Sequence, residues 1–389
     1  MKLSSRHIIP LMLVCVMLTG LFSSCQRKPL YLAQRGTLDI NVSVYDIQLE
    51  LLWGVSWKTD WQYLWDESLY GYIGYTEPSG VRANVYTINE DYHRSKYTTR
   101  NFSTNGGRVS LTTNNTYDMM FHNNDTEYIL YATDDSTYYY ATTRSNTRSS
   151  YTRSHSTITN HNQPDQLFGT YIHDLYVSDD PDEYTVEEDE DGYLVYVYNV
   201  NAELTPYTMI YLFQVMILNN YDEVGQRITG AEGITASGMA GGVDLFNRLN
   251  DSTRIVAITQ EDIKPIQDNR ELTSPDGQKV VGDIFAARMM TWGLPGINPL
   301  DHINNKENIQ LYDSIYSGIG LQLRNGTIYP VQQNISEQML KQPAGGVITL
   351  VIDAAAIPDS IIGGKPQPGG GFDASVDGWD NEINTDIII

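Results

Sequence analysis

Residues Thr37–Asp46, TLDINVSVYD, alternate Leu38, Ile40, Val42 and Val44 with Asp39, Asn41, Ser43 and Tyr45. A period of two sets all four aliphatic side chains on one face of an extended strand, whereas a helix would scatter them around its axis. Comparable runs return at Val81–Ile88, Tyr128–Thr133, Tyr193–Leu204 and Met209–Leu218, then at Ile315–Arg324, Val347–Ile352 and Ile383–Ile389. Clusters of Gly, Asn, Asp and Thr between them suit tight turns. Convincing helical periods are scarce, so the chain reads as all-β, built from sandwiches.

The first 22 residues differ from everything that follows. Lys2, Arg6 and His7 precede an apolar stretch, Ile8–Phe22, that is too short for a stable membrane span and has the form of a secretory signal. Of the two cysteines, Cys15 lies inside that stretch and Cys25 just after it. Cleavage between Ser24 and Cys25 leaves one thiol, which excludes an internal disulfide or a cysteine zinc site. Leu21-Phe-Ser-Ser-Cys25 resembles a bacterial lipobox, in which the cysteine becomes the diacylglycerol attachment point; Phe22 is a looser fit, and an ordinary signal with an incidental cysteine is the alternative. Acyl chains such as palmitate contribute about 0.8 kcal/mol per buried methylene, so two or three would hold the chain firmly at a membrane.

The formal charge is −23, and removing Lys2 and Arg6 with the signal makes it −25. Such a balance opposes binding to nucleic acid or to anionic lipid surfaces. With 28 Tyr against 8 Phe, the aromatic content suits half-buried strands with polar rims. A proline at Pro206 closes a long strand, and composition shifts there from Tyr/Thr/Asn/Asp-rich to Ile/Gly/Met/Ala-rich. The expected organisation is a signal at 1–24, a lipidated tether at 25–36, one sandwich domain over 37–204 and a second over 205–389.

Signals for catalysis are missing from the sequence: it has no HExxH, no GxSxG and no Walker-type loop, because Pro366 follows the Gly364-Lys365 pair. His93, His122, His155, His161, His173 and His302 have no ligand spacing. No enzyme activity, metal or cofactor is expected. Asp179–Asp191 is an acidic run read as a solvated hairpin turn; Glu187, Asp189 and Asp191 have the alternating spacing of a calcium loop, but Tyr198 stands where its last glutamate belongs. Thr142–Gln163, with Arg144, Arg148 and Arg153, reads as a surface loop or a polar binding loop. Trp53, Trp57, Trp61 and Trp65 recur every fourth residue. They form either an aromatic platform for a glycan or protein, or an insertion packed over the open end of a sandwich.

Four segments carry a resemblance: Ala202–Ile217, Ile234–Asn247 with its Ser237-Gly-Met-Ala240 core, Ile328–Ala354 containing QQNISEQ before Gly345-Gly346, and the closing run with Trp379. They are similar to the fimbrillin-like lipoproteins, the anchor, accessory and tip subunits of type V fimbriae, together with an uncharacterised branch of that family. The resemblance implies two tandem transthyretin-like, Greek-key β-sandwiches behind an acylated cysteine in the cell outer membrane. It also implies a structural role in fimbrial assembly and cell adhesion, and partners among other fimbrial subunits joined by β-strand complementation. The apolar end Ile387, Ile388 and Ile389 is either the exchanged segment or a strand of the second sandwich. Stalk subunits of the family are cut after an arginine, and here Arg35 precedes the first strand, so retention of the lipid is expected. Gln26-Arg27-Lys28 after Cys25 departs from the acidic residues of surface-displayed relatives. Asp313-Ser314-Ile315 and Asp359-Ser360-Ile361 resemble O-glycosylation acceptors. The alternative function is a stand-alone surface lipoprotein that binds glycan or host ligand through the tryptophan segment.

Overall fold

The computed structural model describes residues 35–44, 67–134, 137–147, 158–188, 192, 194–261, 263–273, 277, 279–298 and 314–363. Strand is the dominant structure among these residues, and helix is confined to a few short turns. The first half supplies β1 (Arg35–Val44), β2 (Val81–Ile88), β3 (Arg94–Phe102), β4 (Gly107–Thr112), β5 (Asn115–Asn123), β6 (Ile129–Thr133), β7 (Tyr139–Thr143), β8 (Thr159–His161), β9 (Phe168–Val177), β10 (Thr185–Glu188) and β11 (Leu194–Pro206). The second half supplies β12 (Met209–Leu218), β13 (Tyr221–Asp222), β14 (Gly225–Gln226), β15 (Ile228–Ala240), β16 (Gly242–Asp244), β17 (Ile255–Glu261), β18 (Lys264–Thr273), β19 (Lys279–Thr291), β20 (Tyr316–Leu323), β21 (Ile328–Asn334) and β22 (Gly346–Asp353).

The first large sheet runs β3-β2-β5-β9-β11-β1-β4, with β10 added beside β11. Its middle is thin, because β9 and β11 pair only at Gly169↔Thr205 and Phe168↔Pro206. The sheet thus falls into two parts that share one core with Val85, Val109, Leu111, Tyr117, Phe121 and Leu204. Two further sheets, β18-β19-β12-β22 and β21-β20-β15-β17-β8, carry most of the second half. Their apolar residues, such as Phe213, Ile258, Phe285 and Ile348, continue the same core.

The halves trade strands. β8 pairs in parallel with β17, Val256↔Thr159 to Ile258↔His161, and β7 pairs with β16 beside β6. The polar stretch read as a surface or binding loop over 142–163 therefore includes strand: its start completes β7, and near its finish it forms β8, a strand edging a sheet of the second half. Within the acidic run, Pro181–Glu183 form a short turn and Thr185–Glu188 form β10, antiparallel to β11; Asp189, Glu190 and Asp191 lie outside the described residues.

Val81–Ile88 and Met209–Leu218 are strands over those very residues. The second is not one-faced, however: all ten residues of β12 are buried. It lies between antiparallel β19 and parallel β22 and is covered on both faces, which is why its sequence, MIYLFQVMIL, is a nearly continuous apolar run. Gln214, its one amide side chain, donates from Nε2 to Thr349 Oγ1 on the neighbouring strand at 2.6 Å, a partner for its buried N–H.

Candidate functional site

Cys25, Trp53, Trp57, Trp61 and Trp65 lie outside the described residues, as do Ile387, Ile388 and Ile389. What the structure describes is where the chain next to two of these segments is fixed. β1 begins at Arg35, ten positions after Cys25. It pairs in parallel with β11 from Gly36↔Tyr196 to Val44↔Leu204, and antiparallel with β4 from Arg35↔Thr112 to Ile40↔Gly107. The first strand is therefore interior to its sheet, held on both sides. Ten residues span at most about 35 Å fully extended, so a lipid on Cys25 would keep this sandwich within that distance of a membrane.

The other fixed point is the approach to the chain's end. Arg227, nearly buried, reaches across to Ala354–Ile357: its Nε donates to Ala354 O at 3.0 Å and its Nη2 to Ile357 O at 2.7 Å. Nη1 meets Asp222 Oδ2 at 3.0 Å and Asp359 Oδ1 at 2.8 Å. Arg324 completes the group, 2.6 Å from the same Asp222 oxygen. Burial alone would raise the Asp222 carboxyl, but hydrogen bonds from Arg324, the Val224 N–H and Arg227 outweigh it and hold the group down at about 2. Asn325 Nδ2 also donates to Ile361 O at 2.9 Å, so the segment up to Gly363 is clamped from two directions.

A polar cluster sits among aromatic rings drawn from both halves of the chain. Arg94 Nε is 2.6 Å from Asp118 Oδ2, its Nη2 donates to the Tyr171 hydroxyl at 2.8 Å, and its guanidinium lies 4.5 Å from the centroid of Phe246. Asp118, 1% exposed, also accepts from Tyr171 and from the Asp174 N–H. On the same strand His122 is buried, and Nδ1 sits 2.8 Å from Asn123 O. A carbonyl only accepts, so the proton is on Nδ1 and Nε2 accepts from the Tyr139 hydroxyl at 2.7 Å. Burial, partly offset by the Asn123 carbonyl, pushes the imidazole down to about 4. These polar groups are committed to one another, and the arrangement is that of a structural network.

None of these residues stood out in the sequence. Arg94, Asp118 and Tyr171 are far apart along the chain, and a lone charged residue on a strand has no periodic signature. Among the described residues no three His, Cys, Asp or Glu side chains cluster to hold a metal ion, and no helix is long and apolar enough to cross a membrane.

The architecture is that of an all-β protein whose two halves share strands and a core. The chain belongs to the family described as a domain of unknown function, DUF5119, whose model matches residues 67–261, half of the sequence. That match runs through the expected boundary at Thr205-Pro206. Among solved structures, a candidate adhesin from Bacteroides ovatus is similar over 83% of this chain and 94% of its own, at 13% identity and a TM-score of 0.47. The fimbrial anchor protein Mfa2 from Porphyromonas gingivalis is similar over 81% of this chain and 90% of its own, at 10% identity and a TM-score of 0.37. A fimbrial assembly protein from Parabacteroides distasonis covers 83% and 93%, at 9% identity and a TM-score of 0.31. No curated protein matches the chain.

Proposed function

We propose that this chain is an outer-membrane lipoprotein that serves as an anchor or accessory subunit of fimbriae and so supports adhesion. The observation that carries the reading is the place of β1, interior to its sheet and beginning ten residues after Cys25. A pull on the sandwich directed along β1 loads its parallel ladder to β11 in shear, all bonds together, which is the geometry that best resists extraction of a strand. The lipobox-like Leu21–Cys25 supplies the attachment and the family resemblance supplies the polymer. Arg35 is the first residue of the ladder with β4, so a cut after it would strip the lipid and leave Gly36–Val44 paired. Retention of the lipid, partnership with other subunits through strand complementation, and a non-enzymatic role are parts of the same proposal.

The test is Cys25→Ala in the organism that makes the protein, with cell-bound and shed fimbrial material measured separately. Fimbriae released to the medium are the expected result. Fimbriae that stay cell-bound, with this protein alone lost from the membrane fraction, would sink the anchor role.

A second reading, glycan or host-ligand binding, draws on exposed aromatic side chains: Tyr92 is 82% exposed at a hairpin tip, and Tyr128 and Tyr176 are also exposed. Titration of glycans against the protein and its Tyr92→Ala variant tests it, and unchanged fluorescence with every glycan would count against it.

A further inference from the structure

β22 is an edge. Among the described residues its one strand neighbour is β12, and the residues that face away from β12 carry backbone groups with no ladder partner. Its sequence, GVITLVID, is uncharged until Asp353 and rich in β-branched residues, with no proline. A segment of that kind on an open edge is a template for pairing with another chain.

The edge is not open. Gln342 Oε1 accepts from the Val347 N–H at 2.7 Å, and Gln342 Nε2 donates to Val347 O at 2.8 Å. Gln338 repeats the arrangement two residues on: Oε1 accepts from the Thr349 N–H at 2.8 Å and Nε2 donates to Thr349 O at 2.9 Å. Gln333 Nε2 then donates to Val351 O at 2.6 Å. Residues 347, 349 and 351 alternate along the strand, so these are the outward-facing positions.

A primary amide offers one donor and one acceptor on the same side, as a peptide group of a neighbouring strand does. The spacing also fits. Gln338 and Gln342 are four apart, Gln338 inside the helix Ser336–Lys341 and Gln342 at its end. Four helical residues advance about 6.0 Å, while two strand residues advance about 6.6 Å. The helix is seated by Ile335 and Met339, both buried in the core, and Lys341 pairs with Glu337 at 2.7 Å on its outer side. Gly346 is part of the fit: a Cβ there would collide with the Gln342 amide. The QQNISEQ and Gly345-Gly346 features of the sequence thus converge on one structure.

We infer that Gln338 and Gln342, extended by Gln333, form a side-chain lock that stands in for a strand and closes the β22 edge against pairing with a second copy of this chain. Identical edges can pair antiparallel about a two-fold axis, each offering the same apolar segment, and this is the association the lock prevents. Strand complementation, wherever it occurs in this protein, must then use another edge. The inference concerns the folded protein alone and is independent of lipid attachment.

The test is a Gln338→Ala, Gln342→Ala double variant of the protein, followed by amide hydrogen exchange and by mass as a function of concentration. Expected are exchange at Val347 and Thr349 faster by about tenfold or more, unchanged exchange at the inward-facing Ile348 and Leu350, and a mass that rises toward the dimer with concentration relative to the unsubstituted protein. Gln338→Glu is the companion variant: it keeps the acceptor for the Thr349 N–H and loses the donor to Thr349 O, so the Thr349 amide stays protected. If the double variant does not fold, Gln338→Ala alone carries the same readouts at Thr349. Unchanged protection of Thr349 in a folded alanine variant overturns the lock, and so does loss of protection with no gain in mass.

Discussion

The Tyr139 hydroxyl lies 2.7 Å from His122 Nε2 and donates to it, a bond made only by the neutral imidazole that burial favours. Asn84 Nδ2 donates to the same hydroxyl at 3.2 Å, and Asn84 Oδ1 accepts from Thr99 Oγ1 at 2.9 Å, so the network ties β2, β3, β5 and β7 together. Neutrality has a consequence for pH. The imidazole titrates near 4 when folded and near 6.5 when unfolded, so between those values the unfolded chain binds the extra proton. The contribution to stability is complete above about pH 6.5 and falls as pH drops toward 4, by about 3 kcal/mol in all. Urea unfolding at pH 7, 5.5 and 4.5 should show the decline, and His122→Gln should flatten it; an unchanged slope in the variant would contradict this assignment.

Asp118, itself buried, joins Arg94, Tyr171 and the Asp174 N–H at a partly buried site. Asp118→Asn removes the carboxylate that Arg94 Nε meets at 2.6 Å beside Phe246 and Tyr171. A loss of about 2–4 kcal/mol is expected in denaturant unfolding, with Asp118→Glu intermediate because the longer side chain misplaces the oxygen.

Arg227→Lys keeps the charge and removes the fork. The bonds to Ala354 O and Ile357 O cannot both be made by a single ammonium, so the Ala354–Gly363 segment should become accessible to limited proteolysis while the rest of the protein resists it. Acid should act in the same place. Because the Asp222 carboxyl is held at about 2, its contribution is present above about pH 4 and is lost as pH falls through 2.

Leu38→Pro tests the first strand. Residues 36–40 of β1 have neighbours on both sides, so the lost N–H falls within a ladder whichever way it points. Proline in such a position is confined to edges or bulges, and a loss of about 2 kcal/mol or more is expected in urea unfolding. An unaffected variant would mean that β1 contributes little to the sandwich.

The sequence by itself marked β1, β2, β6, β11, β12, β20 and β22 as strands and left the other described strands unmarked. Alternation in Thr37–Asp46 and Val81–Ile88 reports an extended backbone, a local property, and the corresponding strands run over Arg35–Val44 and Val81–Ile88; in the second, Asn84 and Tyr86 are buried along with Val81, Ala83 and Val85, so both faces are covered there. The sequence also carried the resemblance, which rests on short motifs and not on folded contacts. Only the tertiary structure decided the pairing: β1 beside β11, more than 150 residues away; β8 in a sheet of the other half; β12 buried on both faces. Backbone hydrogen-bonding groups are the same in every strand, so periodicity cannot name a partner, and long-range closure is settled by the core as a whole. The glutamine lock shows the same limit from the other side. QQNISEQ is visible as a motif, but its meaning depends on an edge strand that arrives later in the chain and needs its outward groups satisfied.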